Sequence, residues 1–389
     1  MAQDVPNTSR IQRTFTFPVG FHALTRVPII NYQLNRWCSF GLLPLDGLRA
    51  VGARVHRLED LQPELTRWAE EALAQNRPEI ACFALRGAEF FVPHEHPDKR
   101  ALYERFQALF YGDAFGGDEL ERIDVPYPGG SLPLLRVPAR GQRRGMIVIH
   151  GGFDSFMEEL YPWACAFAAR GYEAVLFEGP GQGGALKRSG LTLDWAWERP
   201  ARAVLDHLGA QDVAWLGVSM GGWLCFRAAA HEPRIRRVIA SSVAFDYLQI
   251  PPRPVAWFAR FCLRYPRLLD ALARAKARKL PRERWGLDNV LAITGQRSPT
   301  AAARYFLQMN EENLCAPAVR QDVLIQTGSE DSFIPMKIHH KQIEALTGAR
   351  SVTGRVFYPD TCAHNHCQVG NTGLALDEMA AWIERVSGS

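Results

Sequence analysis

The most informative stretch of the sequence is Val213-Ala214-Trp215-Leu216-Gly217-Val218-Ser219-Met220-Gly221-Gly222. Its apolar start predicts a β-strand, residues 223–231 predict a helix, and the Gly-x-Ser-x-Gly between them has the pattern of a nucleophile elbow. Reversing from strand to helix within so few residues forces Ser219 into a strained backbone conformation, and only glycine leaves room at Gly217 and Gly221. The same motif also arises by chance in long chains, so the other elements have to support it.

Short apolar runs alternate with helix-like segments on both sides of the elbow. Strands are predicted at 146–149, 174–177, 238–240, 323–326 and 355–358, with helices between several of them. This alternation predicts a doubly wound, mostly parallel sheet. Two alternating runs around a Pro-Gly-Gly turn, at 121–127 and 131–137, predict an antiparallel hairpin ahead of that sheet.

The remaining segments are predominantly helical in pattern. Residues 1–117 predict a helical N-terminal domain, with amphipathic helices at 63–76 and 98–111. The core then occupies 118–245 and 320–389, and residues 246–319 interrupt it as a helical lid over the carboxyl edge of the sheet. A basic run at 274–279 in this lid predicts a solvated helix face, with a pocket for an anionic substrate as the alternative.

Composition places few constraints on function but excludes some classes. The 389 residues are 47% hydrophobic and 22% charged, with a net charge of +4, so bulk charge does not indicate a nucleic-acid partner. Eight cysteines form no Cys-x-x-Cys pair and several lie in apolar runs, which is typical of free thiols in a reducing compartment. No signal-peptide pattern and no long apolar run are present, so we expect a cytoplasmic protein without a membrane partner.

A serine nucleophile needs a base, a carboxylate that orients the base, and donors for the oxyanion. Asp331 follows the predicted strand 323–326 and is our candidate carboxylate, with Glu330 as the alternative. His364 and His366 both follow the last predicted strand and are candidate bases. Since the His-x-His-Cys at 364–367 has no second pair of ligands at a suitable spacing, we expect neither a metal nor a cofactor.

Two segments are candidates for the oxyanion hole. The N–H of Met220 stands at the start of the helix after the elbow, where it can face the developing charge. A glycine-rich turn, His150-Gly151-Gly152-Phe153-Asp154, follows the first parallel strand. We expect the second donor to be the N–H of Gly152 or Phe153 in this turn, and His150 to be structural.

Five stretches together resemble one branch of the α/β-hydrolase superfamily. This branch includes the fungal polyketide-shortening hydrolases of melanin-precursor synthesis and the bacterial 2,6-dihydroxypseudooxynicotine hydrolase. The matching stretches are His150-Gly151-Gly152-Phe153-Asp154-Ser155, Phe177-Glu178-Gly179-Pro180-Gly181-Gln182-Gly183, the elbow, Gly328-Ser329-Glu330-Asp331-Ser332-Phe333-Ile334-Pro335 and His366-Cys367-Gln368-Val369-Gly370-Asn371. The resemblance implies an α/β-hydrolase fold with a helical lid and a helical N-terminal domain.

The resemblance also implies roles for individual residues. Ser219 would be the nucleophile, Asp331 the orienting acid and His366 the base, the last selected over His364 by the His-Cys-Gln match. Members of the branch hydrolyse a carbon–carbon bond next to an aryl ketone in a retro-Claisen reaction, and some use a lid carboxylate, for which Asp246 and Glu311 are the candidates. The resemblance further implies a homodimer and a small aromatic ketone or ester as substrate.

Other functions use the same residues. A carboxylesterase or lactonase needs the same triad, and an acyltransferase or cyclase would pass the acyl group to an acceptor other than water. A non-catalytic binding protein on the same fold is a further alternative. Aromatic residues of the lid could contact a substrate ring, although lid aromatics more often form ordinary core; they are Trp257, Phe258, Phe261, Tyr265, Trp285, Tyr305 and Phe306.

Overall fold

One eight-stranded sheet organises the part of the chain that the computed structural model describes, residues 10–243 and 245–388. Its strands are β1 (Glu121–Tyr127), β2 (Gly130–Val137), β3 (Gly145–His150), β4 (Tyr172–Phe177), β5 (Val213–Val218), β6 (Ile235–Ser241), β7 (Asp322–Gly328) and β8 (Ser351–Phe357). The spatial order is β1-β2-β4-β3-β5-β6-β7-β8. The β1–β2 and β2–β4 pairs are antiparallel and all others are parallel, which confirms the predicted mostly parallel sheet with a hairpin at its start.

Both faces of the sheet are covered. Successive side chains of a strand point to opposite faces, and in β3 Ile147 and Ile149 enter one hydrophobic cluster while Met146 and Val148 enter the other. All four of these side chains are buried. Strands buried on both faces explain why the sequence reads as short apolar runs rather than as alternating patterns.

In the described part of the chain, six α-helices of the α/β core lie outside the lid and the N-terminal region. They are α6 (Tyr161–Ala168), α7 (Gly183–Ser189), α8 (Glu198–Leu208) and α9 (Met220–His231), followed after the lid by α15 (Met336–Ala345) and α16 (Thr372–Ser387), with a short 3-10 turn at Met157–Leu160. Buried residues of α6 and α16 belong to the first cluster, whereas those of α8 and α9 belong to the second. The elbow helix α9 thus packs on the face opposite the N-terminal helices.

The N-terminal region is helical, as its pattern predicts. Its helices are α1 (Pro28–Ser39), α2 (Leu45–Gly52), α3 (Leu61–Ala74), α4 (Pro78–Phe90) and α5 (Pro97–Leu109), and a π-type turn covers Phe110–Ala114. Their buried side chains share one cluster with the sheet residues Ile147 and Ile149. The region is therefore packed directly onto one face of the sheet.

Buried charges tie this region to the core. The Glu159 carboxylate accepts hydrogen bonds from Arg36 of α1 at 3.1 Å and from Arg86 of α4 at 3.0 Å. It also accepts from the indole of Trp37 at 3.1 Å. Buried carboxylates are tolerated when they are paired in this way, and removing one partner leaves an uncompensated charge.

The lid follows β6 and ends before β7. It contains α10 (Arg253–Cys262), α11 (Pro266–Lys279), α12 (Pro281–Thr294), α13 (Pro299–Phe306) and α14 (Glu311–Leu314). The basic run at the end of α11 is largely exposed, in agreement with a solvated helix face. Among the described residues, no helix has the length and apolarity needed to cross a bilayer.

Candidate active site

Ser219 stands between β5 and α9 in a strained turn. Its backbone has φ 60° and ψ −121°, in the region that side-chain-bearing residues rarely adopt. A Cβ on Gly217 would lie 2.0 Å from the carbonyl oxygen of Gly221, and one on Gly221 would lie 2.6 Å from that of Gly151. The two glycines of the motif are therefore required by close backbone approaches, on one side to the elbow helix and on the other to the glycine-rich turn after β3.

The structure brings three of the predicted residues into one hydrogen-bonded chain. His366 Nε2 lies 2.8 Å from Ser219 Oγ, and His366 Nδ1 lies 2.7 Å from Asp331 Oδ2. The other oxygen of Asp331 accepts the backbone N–H groups of Phe333 and Ile334, each at 2.8 Å. These bonds fix the carboxylate with one oxygen directed at the imidazole.

The loop that carries His366 is held from several sides. The N–H of Cys367 donates to Ser242 Oγ at 2.7 Å, and Ser241 Oγ donates to the Gln368 side chain at 2.7 Å. The Tyr32 hydroxyl, from the N-terminal region, donates to the carbonyl oxygen of His366 at 3.1 Å. The last residue of β6, the residue after it and a residue of α1 therefore set the position of the imidazole.

The alternative candidates lie together, away from the serine. His364 Nε2 is 3.7 Å from Glu330 Oε2, and the Glu330 side chain is 63% exposed. By contrast, the Asp331 side chain is fully buried and that of His366 is 8% exposed. The structure thus places His366 and Asp331, not His364 and Glu330, against Ser219.

Electrostatics distinguish the two buried histidines near the serine. Burial alone would lower the pKa of His366, but the Asp331 carboxylate outweighs it and holds the pKa of His366 well above its usual value. His150 has no such partner, and burial lowers its pKa to about 3. His150 is therefore neutral at physiological pH, its Nδ1 lies 3.1 Å from the Gly151 carbonyl oxygen, and it packs among the rings of Phe177, Trp197 and Trp215.

The glycine-rich turn after β3 approaches the elbow closely. A Cβ on Gly152 would lie 2.8 Å from the backbone nitrogen of Met220, so only glycine fits there. The N–H of Gly152 donates to Ser155 Oγ at 3.3 Å. The ring of Phe153 points toward the lid, where it contacts Trp285 and Phe306 edge-on, each at 5.8 Å between centroids.

Gln182, in the Gly-Pro-Gly-Gln-Gly stretch, braces this turn. Its side-chain nitrogen donates to the carbonyl oxygens of Gly151 and Gly152 at 2.7 and 3.2 Å, and its oxygen accepts the N–H of Gly179 at 3.1 Å. The stretch follows β4, which lies inside the sheet between β2 and β3. These contacts connect the Gly-Pro-Gly-Gln-Gly stretch to the neighbourhood of Ser219.

Replacing Gln182 by alanine tests this bracing. We expect kcat to fall by about ten- to a hundredfold with a smaller change in KM, because a loosened turn would misplace an oxyanion donor rather than weaken substrate binding. Steady-state kinetics give the two parameters separately, and the thermal midpoint checks that the fold is kept. An unchanged kcat in a folded variant would mean that the turn keeps its geometry without Gln182.

A cavity of about 450 Å³ opens above the serine. Its walls include Ser219 and His366 together with apolar side chains of the lid and of the N-terminal region. Polar side chains also line it: Tyr32, Gln33, Arg36, Asp154, Arg282 and Glu283. A mostly apolar cavity with a few polar groups is the usual form of a small-molecule site.

The two lid carboxylates proposed from the sequence do not line this cavity. Asp246 caps the short turn at Tyr247–Gln249 by accepting the N–H of Leu248 at 2.8 Å. Glu311 accepts a hydrogen bond from the Gln249 side chain at 2.9 Å. The lid carboxylate that does line the cavity is Glu283, in the first turn of α12, which no sequence motif marks.

The lid aromatics fall into two groups. Trp285 and Phe306 line the cavity, and Tyr305 donates its hydroxyl to the Leu193 carbonyl oxygen at 2.6 Å. The other four are exposed rather than forming lid core, which corrects the expectation for them: Trp257, Phe258, Phe261 and Tyr265. Periodicity identifies the apolar face of such a helix but does not reveal whether a neighbour covers it.

Tyr32 and Arg36 are cavity residues that the sequence analysis missed. Both lie on α1, more than 180 residues from the elbow, and no motif surrounds them. Burial raises the pKa of the Tyr32 phenol well above its usual value, so its hydroxyl stays protonated.

Among the described residues, no group of three or more His, Cys, Asp or Glu side chains is arranged to hold a metal ion.

Sequence comparisons give the same fold. Residues 146–359 match the sequence model of the alpha/beta hydrolase family. The chain is 28% identical over 338 residues to Hydrolase LUC6 of Fusarium sp, with 78% of each chain covered. It is 30% identical over 300 residues to 20-hydroxy-prefusarin hydrolase FUS2 of Gibberella moniliformis, which covers 68% of this chain and 70% of that protein.

A solved structure extends the likeness to most of the chain. The crystal structure of the 2,6-dihydroxy-pseudo-oxynicotine hydrolase superposes with a TM-score of 0.63. The superposition covers 90% of this chain and 94% of the other, at 18% sequence identity. At that identity the likeness is one of fold, and it includes the N-terminal helices as well as the sheet.

Proposed function

Because this chain belongs to the alpha/beta hydrolase family, we propose that it hydrolyses a carbon–carbon bond next to an aryl ketone, with Ser219 as the nucleophile. The observation that carries the proposal is the hydrogen-bonded chain from Asp331 through His366 to Ser219 beside an apolar cavity. A serine, a base and an orienting carboxylate in this order are the requirements of nucleophilic acyl transfer.

The first half of the reaction forms an acyl-enzyme. His366 Nε2 takes the proton of Ser219 as Oγ attacks the ketone carbon, and the carbonyl electrons move onto oxygen. We assign the N–H groups of Met220 and Phe153 as donors to this oxyanion, because the N–H of Gly152 already donates to Ser155 Oγ. The carbon–carbon bond then breaks with its electron pair on the leaving carbon, which becomes an enolate and takes the proton from His366.

Water completes the reaction. His366, now neutral again, removes a proton from a water molecule as that water attacks the acyl carbon of the ester on Ser219. The ester C–O bond breaks and Oγ regains a proton from His366. The products are a carboxylic acid and a shortened ketone, and the residues return to their starting protonation states.

Arg282 brings a positive charge to the cavity, where it would stabilise an anionic leaving group. Its guanidinium lines the cavity, lies 4.6 Å from the centroid of the Phe333 ring, and has no carboxylate partner in the described part of the chain. Arg282 is exposed, so solvent screens its attraction for an enolate, a phenolate or an alkoxide, and this attraction does not by itself distinguish them. A carbanion leaving group also needs a neighbouring carbonyl or phenol to delocalise its charge, so a 1,3-diketone attached to an aromatic ring is the substrate class we propose.

The test compares two bond types. Hydrolysis rates are measured for aryl 1,3-diketones and for p-nitrophenyl or naphthyl esters, each corrected with the Ser219→Ala protein. Faster diketone cleavage, with a carboxylic acid and an aryl ketone as products, supports the proposal. Cleavage of esters alone would instead make the protein a carboxylesterase or lactonase, and acyl transfer to an added alcohol or amine in place of water would make it a transferase.

The pH profile tests the assignment of His366 as the base. Only the neutral imidazole can accept the serine proton, so kcat/KM should rise with pH as His366 loses its proton. Since Asp331 raises the pKa of His366, we expect this rise above the ordinary histidine value of about 6.5. In Asp331→Asn the rate should fall and the rise should move to lower pH; a rise that stays in place would contradict the pairing.

We also propose a homodimer in the cytoplasm. The dimer rests on the family resemblance alone, and light scattering on the purified protein tests it directly. The reducing compartment is supported by the eight cysteines, all of which are free thiols, six of them buried. Loss of the native fold under mild reducing conditions would contradict that location.

A further inference from the structure

Helices α10 and α11 of the lid present an apolar face to solvent. Twelve large hydrophobic side chains are exposed by about a third or more in the described part of the chain, and eight of them lie between residues 255 and 280. We call six of these the lid stripe: Trp257, Phe258, Phe261, Tyr265, Leu268 and Leu272. Single exposed apolar residues are normal, but such a concentration marks an interaction surface.

Neighbouring side chains of the lid stripe contact one another and form a continuous apolar surface. The rings of Trp257 and Phe261 stack at 6.1 Å, and Phe261 contacts Tyr265 at 4.9 Å. Leu268 and Leu272 then continue the stripe one helical turn apart on α11. Trp257, at 68% exposure, projects furthest into solvent.

Both helices make their buried or hydrogen-bonded contacts through other residues, α11 with the neighbouring lid helix α13. Ala256 and Cys262 are the buried side chains of α10. On α11, Asp270 accepts hydrogen bonds from the N–H and the hydroxyl of Thr300, each at 2.7 Å. The lid stripe is therefore free to contact a partner without unfolding the lid.

The charge around the lid stripe is strongly positive. Residues 253–280 contain eight Arg or Lys and one Asp, a net charge of +7, whereas the whole chain carries +4. Within the described residues, only one of the eight cations has an ion-pair partner, Lys276, which lies 2.8 Å from Glu283. The surface thus combines exposed aromatic rings with seven cations that have no ion-pair partner among the described residues.

We propose that the lid stripe docks on the surface of an anionic lipid bilayer. A helix pair with Trp, Phe and Leu on one face and Arg and Lys at its borders is the pattern of interfacial membrane binding, in which the helices lie in the plane of the headgroups. Anionic lipids attract such cations, and the rings enter the acyl boundary. A second copy of this chain fits less well, because pairing two such faces would bring like charges together.

The proposal departs from the sequence-based expectation that the protein has no membrane partner. That expectation rested on the absence of an apolar segment long enough to span a bilayer, and a helix that lies on the surface does not need one. Sequence patterns alone did not reveal the surface because the lid aromatics could equally have packed into a core.

Docking would place the active-site cavity next to the bilayer. The exposed segment leads directly into α12, whose residues Arg282 and Glu283 line the cavity, and Ile250, three residues before α10, lines it as well. An apolar aromatic ketone would partition into the membrane and could pass from there to the cavity. This consequence rests on the proposed function, whereas the docking itself does not.

Vesicle flotation with the full-length protein tests the proposal. Wild type should bind phosphatidylcholine vesicles that contain phosphatidylglycerol, and bind pure phosphatidylcholine vesicles at least about tenfold more weakly. The double variant Trp257→Ser, Phe261→Ser and the variant Arg274→Gln, Arg278→Gln should each lower partitioning to the anionic vesicles by about tenfold or more. Tyr358→Ser, an exposed aromatic residue outside the lid stripe, is the matched control and should bind like wild type.

The outcomes separate the possible partners. If wild type does not float with anionic vesicles, or if the Trp257 and Phe261 variant floats as well as wild type, the proposal is overturned. A protein that binds no vesicle but changes from dimer to monomer in that variant would identify the lid stripe as a dimer interface and would also overturn it. Binding is measured without substrate, so neither result bears on the reaction; the thermal midpoint checks that each variant is folded.

Discussion

Replacing Ser219 by alanine is expected to lower kcat by at least about ten-thousandfold on every substrate that the enzyme turns over. Ser219 Oγ is the atom that would bond to the acyl group, so its loss removes the covalent pathway rather than weakening it. The residual activity of the variant would come from the oxyanion donors and from substrate binding in the cavity. Single-turnover and steady-state rates with the best substrate from the diketone and ester comparison measure the effect.

The fold should tolerate this change. Ser219 Oγ hydrogen-bonds to His366, but His366 keeps its bond to Asp331, and the backbone of the elbow is held by glycines and by the N–H of Ser219 on the Ser241 carbonyl oxygen at 2.8 Å. We therefore expect the thermal midpoint to move by no more than a few degrees. Ser329→Ala is the matched control, since this buried hydroxyl has no hydrogen-bond partner among the described residues. Retained turnover in Ser219→Ala would remove the nucleophile assignment.

Residues near the carboxyl ends of the strands could be found from sequence because local rules place them. The reversal from strand to helix is made within residues 217–221, so the motif is visible in the chain itself, although the close approach that requires Gly221 comes from Gly151 of the turn after β3. Asp331 and His366 follow β7 and β8, and in a parallel sheet the loops after such strands meet at one edge. The mostly parallel sheet follows from the same alternation of strands and helices.

Contacts between distant segments could not be found in this way. Tyr32 reaches the loop of His366 across 334 residues, and its position depends on how α1 packs against the sheet. Glu283 lines the cavity because α12 begins beside it, whereas Asp246 and Glu311 are turned into local hydrogen bonds. No periodic pattern encodes these arrangements, since each depends on the packing of the whole lid and N-terminal region.

The order of the strands in the sheet is another feature that sequence patterns do not predict. The chain makes β3 before β4, yet β4 pairs with β2 and separates it from β3. The crossover places Gln182, after β4, beside the glycine-rich turn after β3, where its side chain holds Gly151 and Gly152. The function of a motif can therefore depend on a contact with the loop of another strand, and this contact cannot be inferred from the residues of the motif.

His366 and His364 are two residues apart, and replacing each by alanine should give very different results. In His366→Ala we expect kcat to fall by about a thousandfold or more, because Ser219 loses the only imidazole in the described part of the chain that hydrogen-bonds its hydroxyl. In His364→Ala the rate should stay within a few-fold of wild type, since that ring lies against Glu330 and Asn365 instead. Steady-state kinetics with the same substrate, measured side by side, compare kcat of the two variants.

The pair of variants also separates a chemical role from a structural one. Both histidines belong to the same loop, so a general loss of packing in that loop would lower activity and thermal midpoint in both variants alike. A missing base predicts something else: a folded His366→Ala protein whose remaining rate no longer rises with pH through the histidine range. Added imidazole can enter the 450 Å³ cavity and should restore part of the rate to His366→Ala but not to Ser219→Ala. If His364→Ala proves the more damaging change, the base and its partner carboxylate would have to be reassigned to His364 and Glu330, and the loop would have to move to bring them to the serine.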